Sequence, residues 1–172
     1  MSIFPGWEKY AVRQKRPESG CIPTGYEMLL RAAEVEKINF DSFQDEFDLD
    51  KDRKPGEMPR NDFVSVANLL HQKYPSVIIN IRTFPSGEEK LKFIENCLSN
   101  HRLVLISLSL APFGQSGWHI MPVVDANQEN LLLLNGVDEN GKLDLKSFRK
   151  VDIVNIHNNH PGGNDVAYLE SF

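Results

Sequence analysis

The stretch QKRPESGCIPTGYEMLL, residues 14–30, sets one cysteine just ahead of a proline, and the proline opens a helical pattern. Proline suits the first turn of a helix, where its missing N–H costs nothing. Cys21 therefore stands at a helix N-terminus, where unpaired backbone N–H groups and the positive end of the macrodipole favour a negative charge. A thiolate is such a charge, and it is the reactive form of cysteine, so a depressed thiol pKa is expected. Behind it Tyr26, Leu29, Leu30 and Ala33 repeat at i, i+3, i+4, i+7 and predict a helix over 23–37 with one face on a core. Upstream, Gln14 carries an amide able to hold an oxyanion. A lone cysteine is more often an ordinary buried thiol, and a glutamine a surface residue, so the reading depends on what lies further along the chain.

Before this stretch, Trp7, Tyr10 and Val12 suggest an extended arm leading to Gln14. After it, residues 41–60 are strongly charged. Phe43 and Phe47 predict a short acidic helix, and Pro55, Gly56 and Pro59 a surface loop. Asp48, Asp50 and Asp52 have calcium-loop spacing, but Arg53 stands where the glycine belongs and Pro59 where the closing glutamate belongs. Asn61 or Asp62 caps a helix bearing Phe63, Val66, Ala67 and Leu70. Val77–Ile81 reads as a strand, Ser86 starts a helix that turns Cys97 inward, and Leu103–Leu110 is a second strand. Trp118–Val124 and Leu131–Leu134 form a hairpin across the polar turn 126–129. Leu145–Lys150 reads as a short helix, Val151–Ile156 as a strand and Asp165–Leu169 as an edge strand. Helices come first and strands later, which predicts one α+β domain with a helical half over 1–100 and a β half over 101–172.

A cysteine nucleophile needs a base, and the base needs a third group to orient it. His119 opens the strand HIMPVV, just past the loop PFGQSG. With the hairpin turn centred near Asn127, the residue opposite His119 is Asn135 or its neighbour Gly136, and directly opposed side chains are close enough to interact. Asn135 ends the apolar run LLLLN, where an amide needs a partner; it can accept the imidazole N–H. Asp138, in the next turn, is the alternative third member. An Asn-Gly pair is also a common turn signal in its own right. His157 and His160 lack a cysteine or clustered carboxylate to complete a metal set, His71 falls on the solvent side of its helix, and Gly162-Gly163 reads as a flexible turn.

The order Gln14, Cys21, His119, Asn135 resembles the papain-like cysteine peptidases, and among them the bacteriocin-processing, double-glycine-leader type and its stand-alone relatives. The resemblance covers Gln14 to Leu30 and Trp118 to Asn135; the middle matches in element order alone. Ile22 replaces the usual glycine after the cysteine, Gly20 stands where aspartate is frequent, and Asn135-Gly136 stands where that type has aspartate-proline. The resemblance implies a papain-like α+β fold and a thiol hydrolase with a Cys21–His119–Asn135 triad. Its oxyanion hole would be the Gln14 side chain and the Cys21 backbone N–H, and no cofactor or metal would be needed. Acyl transfer uses the same groups. A non-catalytic module that keeps the fold to bind peptides or a partner protein is the alternative from another class.

Composition narrows the partners. Net charge is −5 at pH 7, which does not suggest nucleic acid or an anionic membrane. No stretch approaches the roughly 18 apolar residues of a membrane span, and the N-terminus lacks the apolar run of a signal peptide. Two cysteines make no disulfide framework, which fits a cytoplasmic, reducing compartment. The expected substrate is a peptide or protein, met by the loops 48–60 and 111–117.

Overall fold

The computed structural model describes residues 1–160 and 165–170; the turn expected at Gly162-Gly163 lies outside them. Five α-helices and a six-stranded antiparallel sheet make an α+β fold. In chain order these are α1 (Cys21–Ala32), α2 (Phe40–Glu46), α3 (Phe63–Lys73), β1 (Ile79–Arg82), α4 (Gly87–Ser99), β2 (Val104–Ser109), β3 (Trp118–Ala126), β4 (Asn130–Val137), β5 (Leu143–Arg149), α5 (Lys150–Asn159) and β6 (Val166–Leu169). Trp7–Tyr10 forms a 3₁₀ turn rather than an extended arm. The strands lie in the order β1-β6-β2-β3-β4-β5. β6 is thus an interior strand and not the expected edge; Leu105 pairs with Ala167 on one side of it, and Ile81 pairs with Ala167 on the other.

α1 is the centre of the molecule. Every residue from Ile22 to Leu30 is buried, while Ala33 is exposed. The helix was expected to show one apolar stripe; instead it is enclosed, with β2, β3 and β6 on one side and α2 and α3 on the other. Gly25 is the point of closest approach to the sheet. A β-carbon there would lie 2.6 Å from the methyls of Leu105, so a larger residue would have to push the Leu105 side chain aside. Tyr26 donates from its hydroxyl to the Phe63 carbonyl at 2.7 Å and ties α1 to the start of α3. The expected caps form: Asp62 accepts from Ser65 N at 2.8 Å and Ser86 from Glu89 N at 3.3 Å.

Two expected elements are exchanged. Residues 143–149 form strand β5, and 150–159 form helix α5. LDL begins this stretch with the period-two alternation of a strand, and β5 pairs with β4 throughout. VDIVNIH is rich in β-branched residues, which favours a strand by propensity. Ile153 and Ile156, however, fall at i, i+3 and are both buried, the spacing of one helix face. α5 packs on α4 where Gly87 leaves room; a β-carbon at Gly87 would lie 2.6 Å from the Val154 carbonyl oxygen.

Candidate functional site

The N-terminus of α1 has no side-chain cap. Its N-cap residue is Gly20, which has no side chain to satisfy the first-turn N–H groups. The backbone N–H groups of Ile22 and Cys21 itself act on the Cys21 sulfur and favour its ionised form. They do not prevail: burial pushes the Cys21 thiol up from its ordinary value, and the charges of Asp48 and Asp50 add to the rise. The depressed pKa expected from the helix end is therefore overruled by desolvation, the larger of the opposed effects. Cys97, as expected, is a core thiol, pushed up to about 11 by burial.

The approach to Cys21 is held by buried polar groups that the sequence reading did not single out. Gln44, on α2, accepts from Lys15 N at 2.8 Å and Thr24 Oγ1 at 3.0 Å. Its Nε2 donates to the Arg13 carbonyl at 2.9 Å and to Glu27 at 2.8 Å. It thus grips the chain on both sides of Gln14. The Gln14 side chain lies over Gly20: a β-carbon on Gly20 would be 3.2 Å from Gln14 Cγ and 2.9 Å from the Arg16 carbonyl oxygen. Gln14 Nε2 donates to Arg16 O at 2.6 Å, which engages one of its two N–H bonds. Behind the turn, Asp48 accepts from Ser19 Oγ at 2.9 Å and from Asn61 Nδ2 at 2.6 Å. Asp50 accepts from the backbone N–H groups of Arg60 and Asn61. Two of the three aspartates of the calcium-like spacing, Asp48 and Asp50, are thus internal ties of the 48–61 loop. Among the described residues no group of three or more His, Cys, Asp or Glu is arranged to hold a metal. His157 instead sets its Nε2 2.9 Å from the Phe84 carbonyl.

His119 and Asn135 meet. The His119 Nε2 lies 2.6 Å from Asn135 Oδ1, and Asn135 Nδ2 donates to Asp144 Oδ2 at 2.6 Å. The register differs from the one expected. Val123 pairs with Leu133, and the ladder shifts between Val123 and Asp125; carried down the hairpin, this sets Asn135 diagonal to His119, still within reach of a long side chain. Asp138 does something else: its Oδ1 accepts from Asn140 N and Lys142 N, both at 2.8 Å, and closes the β4–β5 turn. Asp144 is the residue the sequence reading missed, because residues 145–150 read as a helix and hid the strand that carries it.

Cys21 and His119 occupy the same end of the sheet. Gly25 sits on Leu105, and Leu29 and Ala33 share a cavity wall with Arg102 and Leu103. α1 therefore runs against the direction of β2, and Cys21 lies toward Ser109. There Leu108 pairs with His119 and Ser109 with Trp118. Alternation from Leu105 puts Ser107 and Ile120 on the α1 side and His119 on the other. A Cys21–His119 contact has to be made round the end of the sheet, where β3 begins, and no hydrogen bond joins the two residues. The loop entering β3 exposes Phe113 and Trp118.

No family model matches the chain, and no curated protein matches it significantly. Among the described residues no helix is long and apolar enough to cross a membrane.

Proposed function

We propose that the protein is a papain-like thiol hydrolase that cleaves a peptide or other amide bond. The observation that carries the reading is the His119–Asn135 hydrogen bond through Nε2, which leaves Nδ1 as the ring nitrogen to serve a nucleophile reaching it round the end of the sheet. Cys21 Sγ attacks the carbonyl carbon as its proton passes to His119 Nδ1. The oxyanion is held by the Cys21 backbone N–H and the second N–H of Gln14 Nε2. The tetrahedral species expels the amine, which takes the proton from His119, and water then hydrolyses the thioester with His119 as base. Acyl transfer to another amine or thiol uses the same steps with a different acceptor. Phe113 in the β2–β3 connection and Trp118 at the start of β3 offer exposed apolar surface for a peptide or protein substrate. Two observations favour a non-catalytic binding module instead: His119 lies on the sheet face away from α1 with no hydrogen bond to Cys21, and burial shifts the Cys21 thiol upward.

The test is a peptide bearing a carbonyl-mimicking thiol electrophile, followed by mass spectrometry of the folded protein. One adduct on Cys21 and none on Cys97 is expected; a folded protein that leaves Cys21 unlabelled is the binding module. A second expectation concerns the oxyanion. With a cleavable substrate in hand, Gln14→Ala should lower kcat/KM by roughly 10²–10³, the loss of one donor, with the melting temperature little changed. Turnover equal to the parent would remove Gln14 from the site.

A further inference from the structure

Asn135 sits at an irregularity in the sheet. β4 and β5 pair Leu134 with Leu145 and then Gly136 with Asp144, so Asn135 is an extra residue on its strand. Such a bulge re-aims the side chain it frees. The freed amide stands between two groups: its oxygen faces His119 Nε2 and its nitrogen faces Asp144 Oδ2. The two ends of an amide are not equivalent, since one only accepts and the other only donates. Which end faces the imidazole decides which ring nitrogen carries the proton.

We infer that Asp144 is a positioning residue that fixes the orientation of the Asn135 amide and, through it, the tautomer of His119. An ionised carboxylate accepts and never donates. Asp144 can therefore face only the NH₂ end of Asn135. The oxygen is left for His119, which must donate to it from Nε2–H. Nδ1 then keeps its lone pair. With the amide reversed, its NH₂ would face Nε2 and select the tautomer with hydrogen on Nδ1, which cannot take a proton from a thiol. An aspartate in place of Asn135 would accept through either oxygen and would need no such partner; an asparagine does. The second Asp144 oxygen lies 3.2 Å from Lys146 Nζ. The Asn135 hydrogen bond first, and Lys146 second, hold the Asp144 carboxyl below its ordinary range, so it is ionised and acceptor-only at neutral pH. Only the consequence at Cys21 rests on the hydrolase reading; the tautomer does not.

The measurement is the ¹⁵N NMR spectrum of the full chain labelled in histidine, above the pH at which the rings lose their charge. His119 is assigned by its loss in His119→Gln. The parent should show hydrogen on Nε2. In Asp144→Ala the share of rings with hydrogen on Nδ1 should rise roughly three- to tenfold, the range for losing one hydrogen bond at a partly exposed site. Asn135→Asp with Asp144→Ala should restore the parent signature, which a purely structural loss would not permit. Asp144 is about half exposed, so its removal leaves the core untouched. An unchanged tautomer in Asp144→Ala overturns the inference, as does a failure of the double variant to restore it. Cys21 alkylation in the same variants separates the two readings. If the tautomer shifts and the alkylation rate does not, Asp144 keeps its role and the hydrolase reading falls.

Discussion

His119→Ala should slow alkylation of Cys21 at neutral pH by roughly 10²-fold, and turnover of any cleavable substrate by about 10²–10⁴, the contribution of a positioned general base. The direction follows from the opposed effects on the thiol. Burial, with Asp48 and Asp50 behind it, moves Cys21 up, and the helix-end N–H groups recover only part of that. Without a base, Cys21 ionises above the roughly 8.5 of a free thiol, and its pH–rate profile should move to the alkaline side. With His119 present the proton has an acceptor, so the parent should react near neutrality. Alkylation rates of Cys21 and Cys97 against pH, read by peptide mass spectrometry, check this. Equal rates at pH 7 in parent and variant would show that His119 is not the base.

Gln44→Ala should cost about 3–5 kcal/mol of stability, measured by denaturant unfolding, because it strands several buried partners at once. Gln44 is 3% exposed and serves Arg13 O, Lys15 N, Thr24 Oγ1 and Glu27 together. Gln44→Glu is the sharper variant: it keeps the shape but sets a second carboxylate against Glu27 and removes the donor to Arg13. It should be at least as damaging at neutral pH, and less so in acid, where protonation of either carboxylate relieves the repulsion. A protein that tolerates both changes would mean that the chain around Gln14 is held by something else.

The parts of this molecule that announce themselves in sequence are the ones governed by local pattern. α1 is marked by a proline just after its start, α3 and α4 by their caps, and the His119–Asn135 pair by a hairpin short enough to register from its turn. The turn is centred between Gln128 and Glu129 rather than at Asn127, which displaced that register, and the bulge between Val123 and Asp125 recovers part of the shift and keeps the pair within reach. What was not legible depends on packing. The β5–α5 exchange was hidden because β-branched residues in 151–156 outweigh a weak helical spacing until α4 supplies a surface for Ile153 and Ile156. Gln44 and Asp144 carry no motif; each matters only through partners distant in sequence or across a strand. The pKa of Cys21 was misjudged for the same reason, since burial is a property of the folded neighbourhood and not of the helix end.

The place of β6 has a consequence for how the protein is made. The strand that separates β1 from β2 is the last of the six along the chain. A growing polypeptide can zip β2 to β5 as a run of neighbours, but β1, and α3 packed on it, have no seat in the sheet until β6 has been synthesised. Closure joins segments far apart in sequence, the slow kind of contact in folding. Until then the apolar face of α1 that β6 covers is exposed, and the half-built chain is at its most prone to aggregate.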